Sequence, residues 1–296
     1  MDLYKLKTFR TVATLLNFNQ AAKTLNCAQS TISAQIKSLE DEVGVLLFKR
    51  IKKMVVLTDA GEKMLDYTYK LLSIEEEALA DITGKRNPVG TIRLMVPEAI
   101  AACYFPSIIS EFITQYPTIN FDISNCSTNS LEHELQIGSV DIAFLISEQI
   151  NSSNLKSEII LKEKLVIVSS PDHPLADMKQ VDISNLKSQT IFLPKAGCGY
   201  GLSFRQLLDA NIAKPSSIIE FTSIEAIKKC VMQGIGLTIL PKQSVQKEVY
   251  KNLLVELDWI SDFKTSILMV WHKDKRISKV LHVLMEIIRR TNIPDS

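Results

Sequence analysis

The stretch AQSTISAQIKSLEDEVGVLLFKR (residues 28–50) carries Ile32, Ile36, Leu39 and Val43 at intervals of four, three and four. On an α-helix that spacing makes one buried stripe. Around it stand Gln29, Ser30, Thr31, Ser33, Gln35 and Lys37, short or amide groups and one cation in place of the usual Glu and Lys. Such groups match the paired donors and acceptors on base edges in the major groove of DNA. The acids of the stretch, Glu40, Asp41 and Glu42, collect at its C-terminal end, where they would be farthest from phosphates.

Working outward, two shorter helical patterns precede this one. Leu3, Leu6, Phe9, Val12, Ala13 and Leu16 mark the first, and residues 19–25 the second, with a turn at Asn17–Asn19. Gly44 is a suitable left-handed stop for the third helix. The β-rich runs VLLFKR and MVVLT then flank the basic tip Ile51-Lys52-Lys53, which predicts a small hairpin, or wing. Three helices and a wing, with small polar residues at the start of the third helix, predict a winged helix-turn-helix over residues 1–58. Lys49, Arg50, Lys52 and Lys53 would lie at phosphates. The charge supports this: residues 1–60 hold nine Lys and Arg against five acids, +4, and the remainder is −3. A basic head on a mildly acidic body fits a polyanion partner for the head alone.

Thr58 is placed to cap a long helix from Asp59 to about Ile82, with Leu65, Leu72 and Leu79 spaced by sevens. That repeat predicts a helix–helix seam with a second copy of the chain. GKRNPVG (residues 84–90) has the composition of a hinge, so residues 59–90 are expected to be a dimerising linker. Beyond it, strand and helix patterns alternate: TIRLMV, a helix over 100–115, INFDIS, a helix over 129–137 and DIAFLI. They restart at KLVIVSS, TIFL, SIIEF, a helix over 224–233 and LTIL, and close with SILMVWH and a helix over 278–291. This is the rhythm of a mostly parallel, doubly wound α/β fold. The expected domain covers residues 91–296, with lobe I at about 91–163 and 267–296 and lobe II at about 164–266.

Ligands of such sheets bind beyond the strand C-termini. Four loops should meet there, offering Glu98, Ala99, Ser127, Thr128, Asn129, Ser130, Cys198, Gly199, Thr222 and Ser223. Their hydroxyls, one amide and helix-start N–H groups suit a small carboxylate or other anion. Glu98 has two readings. It complements the start of its own helix, or it faces the cleft and favours a ligand that carries an amine.

Other classes fit less well. The five cysteines are odd in number and scattered, without metal-ligand spacing, which fits a reduced, cytoplasmic protein. No apolar run approaches the ~18–20 residues of a membrane span, and no secretory signal opens the chain. His133, His173, His272 and His282 stand apart, and GCGYG (197–201) lacks the spacing of a dinucleotide site or P-loop, so neither catalysis nor a cofactor is expected. Two alternatives stay open. One is redox sensing through Cys198, in a glycine-rich loop before a helix. The other is a small-molecule binding protein without DNA function.

Over its full length the chain resembles the LysR-type transcriptional regulators. The resemblance is densest in FNQAAKTLNCAQSTISAQIKSLEDEVGVLLFKR and VVLTDAGEKML. It returns in YFPSIISEFITQYPTINFDI, LQIGSVDIAF, SSPDHPLA and VMQGIGLTILP. It implies a homo-oligomer, usually a dimer of dimers, acting on promoter DNA with RNA polymerase as a further partner. It also implies a two-lobed effector domain resembling periplasmic binding proteins. Two departures stand out: Ser30 and Ala34 replace a common Pro and Arg, and the wing turn Ile51-Lys52-Lys53 lacks a glycine or serine. Losing an Arg removes the commonest guanine reader.

Overall fold

The structure, a computed structural model, describes residues 1–52, 54–83, 90–126, 130–195, 199–210, 215–259 and 265–290. The chain divides into two compact units near residue 86.

In the first unit, α1 (Leu3–Leu15), α2 (Phe18–Thr24) and α3 (Gln29–Val43) precede a hairpin, β1 (Phe48–Ile51) and β2 (Met54–Leu57), and the long α4 (Asp59–Thr83). Asp2 caps α1 by accepting from Lys5 N at 2.8 Å. Asn17 caps α2 by accepting from Asn19 N and Gln20 N, so that helix starts at Phe18, one residue before the expected position. Gly44 closes α3 in the left-handed region, φ +78°. Ile32, Ile36 and Leu39 are buried with Leu6, Phe9, Val12, Ala21 and Leu47. Val43 is exposed, because it is the last helical residue and overhangs the core.

The wing begins later than the apolar run suggested, leaving Val45 and Leu46 exposed outside the strand. Glu40 sets this start, since its Oε1 accepts from Leu47 N at 2.7 Å and Phe48 N at 3.2 Å. Thr58 caps α4 as expected: its Oγ1 accepts from Gly61 N at 3.0 Å and donates to Leu46 O at 2.7 Å. Gly61 admits this crossing because any Cβ there would lie 2.1 Å from Leu47 O.

The expected seam on α4 needs correction. Leu72 is 1% exposed, inside the core of its own unit against α1, and Leu65 packs against the same core. Lys7 Nζ donates to Glu75 at 2.9 Å and ties the two helices together. Leu79 continues the line of sevens but stays exposed. A second apolar stripe, Tyr67, Leu71, Ile74 and Ile82, lies roughly 100° round the helix and is exposed.

The second unit is two mixed five-stranded sheets. Lobe I contains β3 (Gly90–Met95), α5 (Glu98–Cys103), α6 (Phe105–Gln115), β4 (Ile119–Ser124), α7 (Leu131–Ile137), β5 (Ile142–Ser147) and β6 (Leu155–Lys162). The chain then builds lobe II from β7 (Leu165–Ser169), β8 (Thr190–Pro194), α8 (Gly199–Ala210), β9 (Ser217–Phe221), α9 (Ile224–Met232), β10 (Leu237–Pro241), α10 (Lys242–Tyr250) and β11 (Val255–Glu256). It returns to lobe I with β12 (Ser266–His272) and α11 (Lys279–Arg290). The strand orders are β4-β3-β5-β12-β6 and β11-β7-β10-β8-β9. In each sheet four strands run one way and the crossing strand, β12 or β7, runs antiparallel to both its neighbours.

Two elements differ from the sequence pattern. The helix expected over 100–115 is two helices broken at Tyr104, where Pro106 in the first turn of α6 supplies no N–H to continue α5. Strand β6 and helix α10 were not legible as separate elements. The crossings between lobes are joined, Glu163 N donating to Thr265 O at 3.0 Å and Thr265 Oγ1 to Glu163 O at 2.5 Å.

Candidate functional site

The head presents the start of α3 and the wing on one concave surface of about 650 Å³, lined by Asn17, Asn19, Gln29, Arg50 and Met54 among others. Gln29, Ser30, Thr31 and Lys37 are exposed and Ser33 is half-buried. Ala28 precedes α3 and no side chain caps it, so the N–H groups of Gln29 and Ser30 have no side-chain cap, while Thr31 N donates to Ala28 O at 3.0 Å. Gln29 Nε2 donates to Ser33 Oγ at 2.7 Å, which fixes the orientation of the Gln29 amide. Gln35 belongs elsewhere. It is half-buried and accepts from Thr8 Oγ1 at 2.6 Å, so it joins α3 to α1 rather than facing outward. The helical period explains this, since residue 35 lies beside the stripe of Ile32 and Leu39.

Lys49, Arg50 and Lys52 are exposed on the wing. Lys52 has φ +58°, so the turn takes a left-handed residue without the glycine that would adopt it freely. Lys53 lies outside the described residues. The acids at the end of α3 are internally engaged. Glu40 holds the wing, and Glu42 pairs with Lys5 and the N-terminal amine. The Lys5 hydrogen bond, then that of the terminal amine, holds the Glu42 carboxyl at about 2.

In the second unit the C-terminal ends of β3, β4, β8 and β9 carry the expected site. Ser127, Thr128, Asn129 and Cys198 lie outside the described residues. Ser130 precedes α7 and its carbonyl accepts from Glu134 N at 2.9 Å. Ala99 is buried in the hydrophobic core and does not line the cleft, a correction that follows from its place on the inward face of α5. Gly199 opens α8 against lobe I, where an added Cβ would lie 3.2 Å from Ile146 O at the end of β5. Thr222 is exposed. Ser223 caps α9 by accepting from Ala226 N at 3.4 Å.

Glu98 stands in the first turn of its own helix, α5, and its side chain turns toward the cleft. Its Oε2 accepts from Ile224 N at 3.0 Å, so a lobe I carboxylate caps the first turn of a lobe II helix. Sequence reasoning also missed Glu163, which is buried at the crossing between lobes. It accepts from Tyr104 OH at 2.8 Å and from the backbone N–H of Gln243 at the start of α10, where Lys242 N donates to Lys164 O at 2.8 Å. Burial pushes its carboxyl above the usual range against the pull of those donors.

A winged three-helix head and a two-lobed α/β domain are also what comparison with known proteins returns. The model of the LysR substrate-binding domain matches residues 85–292, and that of the lysR-family bacterial regulatory helix-turn-helix matches residues 3–62. The chain belongs to the LysR family. It is a DNA-binding transcriptional regulator with an effector-binding domain. It is 34% identical over 292 residues to the uncharacterized regulator YwqM of Bacillus subtilis (98% of this chain, 99% of the relative). It is 30% identical over 293 residues to the regulator CzcR of the same organism (97% of each). Among solved structures, a full-length single-substitution variant of OxyR from Pseudomonas aeruginosa superposes with a TM-score of 0.73 at 24% identity, covering 98% and 95%. CbnR complexed with its target DNA gives 0.67 at 21%, covering 98% and 100%. LysR regulators bind promoter DNA and form oligomers. Among the described residues no helix is long and apolar enough to cross a membrane.

Proposed function

We propose that α3 enters the major groove of double-stranded promoter DNA, with Gln29, Ser30, Thr31 and Ser33 toward base edges. Lys37, Lys49, Arg50, Lys52 and Lys53 then lie at or near phosphates. The observation that carries this reading is the uncapped, exposed start of α3 beside Arg50 on one concave surface. Free helix-start N–H groups and a nearby guanidinium suit a phosphate oxygen. One head reads one half-site, so two copies read a two-fold site. The exposed stripe of Tyr67, Leu71, Ile74 and Ile82, with Leu79 at its margin, is the pairing face, and two such pairs make a dimer of dimers. The protein acts in the cytoplasm as a regulator rather than a catalyst, with RNA polymerase as its further partner at the promoter.

The effector is a small carboxylate or other anion bound between the lobes. Support comes from the exposed hydroxyl residue Thr222 and the starts of α8 and α9 beyond the parallel strands. By position in the sequence, Ser127, Thr128, Asn129, Ser130 and Cys198 belong to the same set.

Binding to operator and random DNA tests the head. Gln29→Ala is expected to lower discrimination by about 1–3 kcal/mol if it removes a bidentate base contact. Lys49→Ala is expected to weaken both DNAs alike and to reduce the salt slope by roughly one unit. Equal losses on both DNAs for Gln29→Ala would take that residue off the base edges.

A further inference from the structure

Among the described residues, two contacts at the cleft join the lobes and share no atoms, while α5 of lobe I also packs against α10 of lobe II. One is Glu98 Oε2 with Ile224 N at 3.0 Å, between residues 126 apart. The other is the start of α8 against Ile146 O, close enough that a Cβ on Gly199 would stand at 3.2 Å. Behind them the lobes are linked by two adjacent crossings, Glu163 and Thr265, which bond to each other. A pair of strand crossings is the usual form of a hinge, and hinge closure is completed by contacts on the open side.

Glu98 is half-buried, and its carboxyl group sits at a helix start, where a negative group is favoured. The first turn of α9 has N–H groups without intrahelical partners, and Ser223 takes only Ala226 N. A carboxylate from lobe I therefore sits where the proposed effector anion would be held in lobe II. We propose that Glu98 is an inter-lobe latch: its carboxylate stands in for an anionic ligand at α9 and holds the lobes closed when none is bound. The part of this that concerns ligand rests on the anion reading of the cleft. An anionic effector then enters by exchange, displacing Glu98 from Ile224 N. Affinity for the ligand is lowered by the occupancy of the latch, and the released carboxylate is free to meet a cationic group on the effector.

Hydrogen–deuterium exchange of the full-length protein tests the latch. Glu98→Ala is expected to raise exchange both over 222–227 and at the second contact, over 142–147 and 199–204. Glu98→Gln, which keeps an acceptor oxygen without the charge, is expected to fall between, and serves as the folded control. Exchange that rises only over 222–227 would reduce Glu98 to an ordinary helix cap and overturn the latch. Sulfate and acetate are the ligand probes. Each is expected to bind Glu98→Ala roughly tenfold more tightly than the native protein, the factor equivalent to one charge-assisted hydrogen bond. If both contacts loosen but neither anion binds either protein, the latch stands and the anion reading of the cleft is what fails.

Discussion

The head and the effector domain treat their helix starts in opposite ways. In the head, α3 begins at Ala28 with no side-chain cap, and exposed polar residues surround its first turn. In the effector domain, α9 begins with Ser223 on one N–H and Glu98 on another, and α10 receives the buried Glu163. An open helix start is available to an anion from outside, such as a phosphate. A filled one is available only to a ligand that displaces the group already there. DNA binding by the head can therefore be prearranged, whereas ligand binding in the cleft is coupled to the arrangement of the lobes.

The same contrast holds for apolar faces, and it gives the largest expected effect. Leu72 is committed to its own core, while Ile74, two residues on, is 61% exposed. Leu72→Asp would bury an uncompensated charge, at a cost of about 3–5 kcal/mol, and is expected to unfold the head by circular dichroism. Ile74→Asp is expected to leave the head folded and to lower the mass seen by light scattering. A folded, smaller Leu72→Asp protein would return the seam to the line of sevens.

The filled start of α9 gives a smaller one. Ser223→Ala is expected to destabilise the effector domain by about 1 kcal/mol, the ordinary value of a helix cap. Thermal melting of the domain measures it, and no change would mean that Glu98 alone satisfies that turn. The smallest effect concerns Glu163. Its folded-state carboxyl titrates above the ordinary 4.5, so the folded protein holds a proton that the unfolded chain has released. Its contribution to stability is complete below that value and is lost as pH rises through the folded one. Glu163→Gln is therefore expected to melt higher relative to the native protein as pH is raised. Parallel melting curves across pH 5–8 would show that the carboxyl is not held protonated.

What the sequence by itself determined was periodic and local. The stripe of Ile32, Ile36 and Leu39, the glycine stop at Gly44, the Thr58 cap and the βα rhythm follow from 3.6- and 2-residue repeats and from single-residue backbone preferences. The stripe Tyr67, Leu71, Ile74 was equally visible in the sequence, at spacings of four and three, but a heptad pattern cannot say which of two apolar faces its own chain covers. Only the packing of α1 on α4 decided that. Gln35 and Val43 depart from the helical pattern for the same reason, since a helical wheel gives a direction but not where the neighbouring helix begins and ends. The cleft depended most on tertiary structure. Glu98, Ile224, Glu163 and Gln243 are far apart in the chain, and no local pattern marks a carboxylate that will cap a helix in another lobe. Such a contact exists only once two independently patterned sheets have been brought together by the crossings at Glu163 and Thr265.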